Sequence, residues 1–180
     1  AQAQFSPART NPLETALMES SVQLVELPDG SSALKDGIIC IWHQKPTLIS
    51  DNKIYEIDTK ELKCKEVLLP DLTKPTNLQV SQDGRLIGTI NDGKDDYLFV
   101  ESTAMQGFEK IKIPVHVTDP GASKILLCAR GNNLLLLLKK NLLCYDGTKW
   151  ETKTLPHVEG TFYFPNEMLL SREKLYLRYD

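Results

Sequence analysis

The chain is 180 residues long, which by length is one ordinary domain with enough atoms to bury a core. Its 21 Lys and Arg stand against 24 Asp and Glu, and this net charge of −3 is spread along the chain, leaving no basic footprint for nucleic acid or an anionic membrane. The longest apolar run, Leu134 to Leu138, is far too short to cross a bilayer, so membrane insertion is not expected either.

Residues 1–20 read as a flexible N-terminal segment and residues 21–180 as the folded domain. Residues 1–10 are polar and show no periodicity. No basic, apolar and small-residue succession of a signal peptide opens the chain, although a first residue of Ala rather than Met is compatible with a removed one. Asn11-Pro12 followed by LETALMES has the chemistry of a short helix start, with Asn11 as N-cap and Leu13 and Leu17 one turn apart.

From residue 21, apolar clusters bounded by Gly, Asn, Asp and Pro predict strands. Val22 to Leu27 comes first, closed by Pro28. Then follow Ile38 to Trp42, Thr47 to Ser50, Lys53 to Asp58 and a strand closed by Leu69-Pro70. The next set is Thr76 to Ser81, Leu86 to Ile90, Tyr97 to Glu101 and a strand closed by Ile113-Pro114. Lys124 to Ala129, Leu134 to Leu138, Leu142 to Asp146 and a strand closed by Leu155-Pro156 form the third set. Thr161 to Phe164, Met168 to Ser171 and Leu175 to Asp180 end the chain. Asp51-Asn52, Asn91-Asp92-Gly93 and Lys139-Lys140 suit antiparallel hairpins. Leu134 to Leu138 has no polar alternation, as expected of a strand covered on both faces, and its Asn- and Lys-rich flanks leave too little length for a helix.

Two features recur along this series. A Leu/Ile-Pro step appears at Pro28, Pro70, Pro114 and Pro156, spaced 42, 44 and 42 residues apart, with Val22, Cys64, Phe108 and Trp150 six residues before each proline. The third strand of every set ends in an apolar residue and an acid: Ile57-Asp58, Val100-Glu101, Tyr145-Asp146 and Tyr179-Asp180. A period of about 40 to 50 residues made of strands is the signature of propeller blades. The expected fold is all-β, a β-propeller of antiparallel four-stranded blades, in which Val22 to Leu27 completes the last unit so that four blades close without a free edge. The alternatives are four consecutive blades of a ring of six to eight, or two chains pairing into one ring.

Residues 79–101, QVSQDGRLIGTINDGKDDYLFVE, resemble the core of a WD40 repeat, with its Ser-x-Asp-Gly turn, middle strand and terminal apolar-plus-acid step. Residues 141–156, NLLCYDGTKWETKTLP, resemble a kelch-type phrase in which Tyr-Asp, Trp and Leu-Pro follow in order. The Gly-His pair and Trp-Asp dipeptide of the first family and the double glycine of the second are absent. The resemblance therefore implies a β-propeller-like architecture rather than either family, and with it a rigid platform for other proteins.

In such blades the loops sort to two faces. One collects Asp29, Asp71, His116, Asp119 and His157 from the links after Leu/Ile-Pro, with Asp92, Lys140 and Arg172 from hairpin turns. Converging His and Asp residues suit a metal or acid–base chemistry, but these spacings match no compact metal motif, and exposed links are polar in any case. The other face carries Trp42-His43-Gln44-Lys45, Arg85, Arg130 and the 102–107 loop. A Trp beside basic residues has the character of a binding hot spot, while a Trp at a strand end is as well placed to pack inside. Asn91 to Asp96 is acidic but lacks the spaced ligands of a calcium loop, so a hairpin turn accounts for it. No nucleophile–base set and no phosphate-binding glycine loop is present. Cys40, Cys64, Cys128 and Cys144 form no CxxC pair and read as reduced core thiols of a cytoplasmic protein. The expected function is a non-catalytic protein-interaction module or scaffold subunit, without metal or cofactor, acting as a homodimer or within a heteromeric complex. Trp42, His43, Asp71, His116, Asp119 and His157 are its candidate contacts. The alternatives are a carbohydrate or small-ligand binding propeller and, behind it, a hydrolase or lyase using the His/Asp face.

Overall fold

The hairpin chemistry of the sequence sets the order of the strands in space. The computed structural model of the chain describes residues 37–102, 107–115, 125–139, 141–155, 165, 167–171 and 174–179. Among them β1 (Ile38–Trp42), β2 (Lys45–Ser50), β3 (Lys53–Asp58) and β4 (Lys63–Val67) form one antiparallel sheet in chain order. The second sheet is β5 (Thr76–Val80), β6 (Leu86–Asn91), β7 (Asp96–Glu101) and β8 (Phe108–Lys112). The third is β9 (Leu126–Arg130), β10 (Asn133–Leu138), β11 (Asn141–Tyr145) and β12 (Trp150–Thr154). The fourth contains β13 (Glu167–Ser171) and β14 (Lys174–Arg178). The protein is thus all-β, in four antiparallel sheets, with no helix among the described residues. Val22 to Leu27, the helix start at Asn11 and the strand at Thr161 to Phe164 lie outside them, and so does the expected closing strand.

Tight turns hold the strands in order. Asp51 and Asn52 (φ 49° and 58°) join β2 to β3, and His43 and Gln44 (φ 49° and 63°) join β1 to β2. Two successive left-handed residues give the turn whose twist matches that of the flanking strands. The expected strand from Thr76 to Ser81 is interrupted instead. Its ladder with β6 shifts register between Thr76 and Gln79, Asn77 turns to φ 53°, and Thr76 and Asn77 bond to the Thr89 hydroxyl at 2.9 and 2.8 Å. Such a bulge bends the strand without leaving polar groups unpaired.

Because successive side chains of a strand point to opposite faces, each sheet shares one apolar layer with each neighbour. Ile49 and Ile54 of the first sheet, with Cys40, Trp42 and Val67, meet Leu78, Leu86, Ile90 and Phe99 of the second. Ile87, Leu98, Val100 and Ile111 of the second meet Leu127, Ala129, Leu134, Leu136 and Leu143 of the third. Cys128, Leu135, Leu137 and Leu142 of the third meet Met168, Leu170, Leu175 and Leu177 of the fourth. The leucine run is divided as expected, with Leu134 and Leu136 facing one neighbour and Leu135 and Leu137 the other. Strands of successive sheets approach one another, β1 near β5, β6 near β9 and β9 near β13.

Gly88 is what lets Phe99 fill the first of these layers. The two residues stand opposite each other on β6 and β7, and a Cβ on Gly88 would lie 2.5 Å from Phe99 Cζ and 2.9 Å from the Thr76 carbonyl oxygen. The Thr76 backbone cannot yield cheaply, so Gly88→Ala is expected to cost about 1–3 kcal/mol through overpacking. A lower urea midpoint with an unchanged denaturant slope checks this; an unchanged midpoint refutes it.

Candidate functional site

The acids that end the third strands have a local purpose. Asp58 Oδ1 accepts from the backbone N–H of Lys60 at 2.8 Å and of Glu61 at 3.0 Å. Asp146 Oδ1 accepts from the N–H groups of Thr148 and Lys149 at 2.8 and 2.9 Å and from the Thr148 hydroxyl at 2.7 Å. These side chains organise the turn into the fourth strand, the usual employment of Asp at such corners. Donation by Lys149 N–H first, then by the Thr148 hydroxyl and N–H, lowers the Asp146 carboxyl to about 2.

Glu101 is not the third member of that series, and its ladder position shows why. It stands opposite Phe108, whereas the residues opposite Cys64 and Trp150 are Ile57 and Tyr145. Glu101 therefore occupies an apolar position on the face toward the first sheet, one residue before the place that Asp58 and Asp146 hold. The apolar-plus-acid step of the sequence is out of register here by one residue. Its carboxylate crosses to the first sheet and accepts from Trp42 Nε1 at 2.9 Å and from the backbone N–H of Leu86 at 3.1 Å, and it pairs with the His43 ring. The Trp42 and His43 rings stack with centroids 4.2 Å apart at 26°.

Further along this rim the turn between β5 and β6 joins three sheets. Arg85 donates to Asp83 Oδ2 through Nε at 2.9 Å and Nη2 at 2.7 Å, and Nη2 also reaches the Gly131 carbonyl of the third sheet. The Gly131 N–H returns a bond to Asp83 Oδ2 at 3.1 Å. Partial burial works to raise the Asp83 carboxyl, but bonds from Arg85 and Ser81 outweigh it and hold the group below its usual range. Gln82 Oε1 accepts from the backbone N–H of Leu170 in the fourth sheet at 3.2 Å and lies 3.9 Å from Cys128 Sγ. Clefts of about 170 and 310 Å³ open beside these ties, the first lined by Arg85, Glu109, Asn132 and Tyr145, the second by Asn133, Asp146 and Glu151.

The expected contact residues are distributed unevenly over this architecture. Trp42 and His43 come together on the rim, Trp42 half-buried and engaged by Glu101, His43 exposed. Asp71 is exposed on the link between the first two sheets, where its carbonyl accepts from Lys110 Nζ at 3.1 Å. His116, Asp119 and His157 lie outside the described residues. Asp92 accepts from the N–H groups of Lys94 and Asp95 at 2.9 and 2.8 Å, the hairpin-turn role expected for the acidic 91–96 stretch. No three His, Cys, Asp or Glu side chains among the described residues converge as a metal would need. All four cysteines are free thiols, and burial raises the pKa of each.

No protein-family model matches the chain, and no curated protein matches it. Among solved structures it is similar to the extracellular domain of a B. thetaiotaomicron protein, BT4673, described as a hybrid two component system. The likeness has a TM-score of 0.53 at 15% identity and covers 90% of this chain and 22% of that one, so the chain spans about a fifth of the structure it matches. Identity this low speaks for the fold alone. That neighbour is extracellular, so the cytoplasmic location expected from the thiols draws no support from it.

Two measurements test the rim. Glu101→Asp shortens the side chain by one methylene and leaves the Trp42 indole N–H and the Leu86 N–H unpaired, an expected loss of about 1–3 kcal/mol. It is read as a lower urea midpoint with red-shifted Trp42 emission in a Trp150→Phe background. For Asp146, a folded value of about 2 below the ordinary 3.8 means that its contribution is complete above roughly pH 4 and is lost as pH falls through about 2. A carboxyl ¹³C titration with its midpoint near 2 bears this out, and a midpoint near 4 does not.

Proposed function

We propose that the sheets are consecutive blades of a β-propeller, and that the chain is a non-catalytic interaction module presenting its turn rim to another protein. The approach of strands from successive sheets and one apolar layer per neighbour support the propeller reading. The observation that carries the functional reading is the cross-sheet bonding of the rim. Glu101 ties it to Trp42 and to His43 of the first turn, Asp83 and Arg85 tie it to Gly131, and Gln82 ties it to the fourth sheet. Turns that belong to different sheets but are held in fixed relation form a surface whose ordering is complete before a partner arrives, which lowers the entropic cost of binding.

Trp42 is largely committed to Glu101, so His43 and Gln44 are the groups this corner displays. Asp71, exposed on the link between the first two sheets, marks the opposite face as the second candidate surface. The small-ligand reading is favoured by the clefts between sheets, but at about 170 and 310 Å³ those formed by the described residues lie below or near the lower bound of ordinary ligand pockets, and that reading ranks second.

The double substitution His43→Asn with Gln44→Gly separates fold from function. Asn-Gly is the preferred sequence for a turn with two left-handed residues, so its lower conformational cost offsets the loss of the exposed His43 contact with Glu101 while both displayed side chains are deleted; Trp42 and the Leu86 N–H still hold Glu101. The melting temperature is expected to change by no more than a few degrees, and a stoichiometric complex seen by native mass spectrometry in gently prepared extract is expected to dissociate. A complex that survives both this double variant and Asp71→Arg would sink the reading.

A further inference from the structure

The first sheet has a second apolar face, and the chain itself covers it. Leu48 stands opposite Tyr55 and Ile57 opposite Cys64, so all four point to one side, away from Ile49, Ile54 and Val67, which meet the second sheet. Leu48, Tyr55 and Cys64 are only 4%, 7% and 9% exposed. Among the described residues, the one hydrophobic side chain packed against them is Ile57 of the same sheet. Leu169 and Tyr176, likewise opposite each other on β13 and β14, show what such a pair looks like on a face that no described sheet covers: they are 50% and 52% exposed. A layer of side chains therefore lies over Leu48, Tyr55 and Cys64. It stops short of β1, since Ile39, opposite Leu48 on the same face, is 72% exposed.

The repeat shows which residues supply such a layer elsewhere. Val67 and Leu69, three residues and one residue before Pro70, pack in the layer that the first sheet shares with the second. Ile111 and Ile113, at the same places before Pro114, pack in the layer with the third sheet, and Leu155 before Pro156 packs in the layer with the fourth. The far side of each layer receives the residue six before the next proline, Phe108 in the first layer and Trp150 in the second. In the first sheet that residue is Cys64. The phrase that precedes this sheet in the chain is LVELP, with Val25 and Leu27 three residues and one residue before Pro28. We infer that Val25 and Leu27, which lie outside the described residues, supply the layer over Leu48, Tyr55 and Cys64. The phrase at Pro28 then covers the first sheet as those at Pro70 and Pro114 cover the second and third. Such a cover falls toward the outer strands, because β4 and β8 stand at the edges of their sheets farthest from β1 and β5, and this accounts for the open Ile39. The inference rests on the repeat of the apolar layers and on no partner at the turn rim.

Peptide-mapped alkylation of the full chain tests it, with the native free thiols as reporters. In the parent, Cys64 and Cys128 are both buried and should react slowly with iodoacetamide. Val25→Asp with Leu27→Asp removes the cover and should raise the Cys64 rate at least roughly tenfold, while Cys128, enclosed between the third and fourth sheets, keeps its parent rate. An unchanged Cys64 rate in this variant overturns the inference. So does exposure of Cys64 by Leu13→Asp with Leu17→Asp instead, which assigns the layer to the stretch before the phrase. A Cys64 rate that falls as the parent is concentrated overturns it too, because the layer would then come from a second copy. If both thiols become reactive together, the chain has unfolded, and the milder Val25→Ala with Leu27→Ala decides. Selective exposure of Cys64 in that variant bears the inference out, and a Cys64 rate equal to the parent's refutes it.

Discussion

Among the described residues the second and third sheets each have two apolar faces, and covering both is the constraint on which the rest depends. A run such as Leu134 to Leu138 cannot be satisfied by a sheet with one wet side, because alternate leucines emerge above and below it. Stacking sheets face to face is the economical solution. It also explains why the strands are short and the turns tight, since each unit must end where its neighbour ends. Small residues appear where two elements would otherwise collide, as Gly88 does beneath the Phe99 ring.

Glu101 is the exception that gives one layer its polar edge. An acid placed where the flanking sheets have Ile57 and Tyr145 brings a carboxylate to the margin of an apolar layer, and it persists there because three donors meet it. The arrangement fixes the first sheet against the second in both rotation and register, which an apolar layer by itself does loosely. On the other side, Asp83 and Arg85 do the same between the second and third sheets by reciprocal bonds with Gly131.

Much of the architecture was legible in the residues. The ends of β1 and β3 fall where apolar clusters meet turn residues, and the leucine strand declares its two covered faces by lacking alternation. Asp58 and Asp146 mark real corners. The bulge at Asn77 was not legible, because it depends on Thr89, which lies on the partner strand. Glu101 was misaligned for a related reason: sequence order counts residues along the chain, whereas facing is set by the residue opposite, and Phe108 opposite Glu101 is visible only once the ladder is formed. Among the expected contacts, the adjacency of Trp42 and His43 could be read directly, but the acid that engages both is 58 residues further on from His43. The Ser-Gln-Asp-Gly turn was recognised as a turn, yet nothing local reveals that its Gln82 and Asp83 reach into other sheets.

Gln82 has one more consequence. Each apolar layer joins a sheet only to its immediate neighbour, so to first order the stack behaves as a one-dimensional array in which melting at one end need not be felt two units away. The Gln82 carbonyl is bonded to Leu170, and so a turn of the second sheet grips the fourth across the third. In the language of such arrays it is a second-neighbour coupling. A term of that kind lengthens the distance over which units share their fate, so the third sheet, held from both sides and bridged overhead, melts together with the second and fourth as one cooperative block.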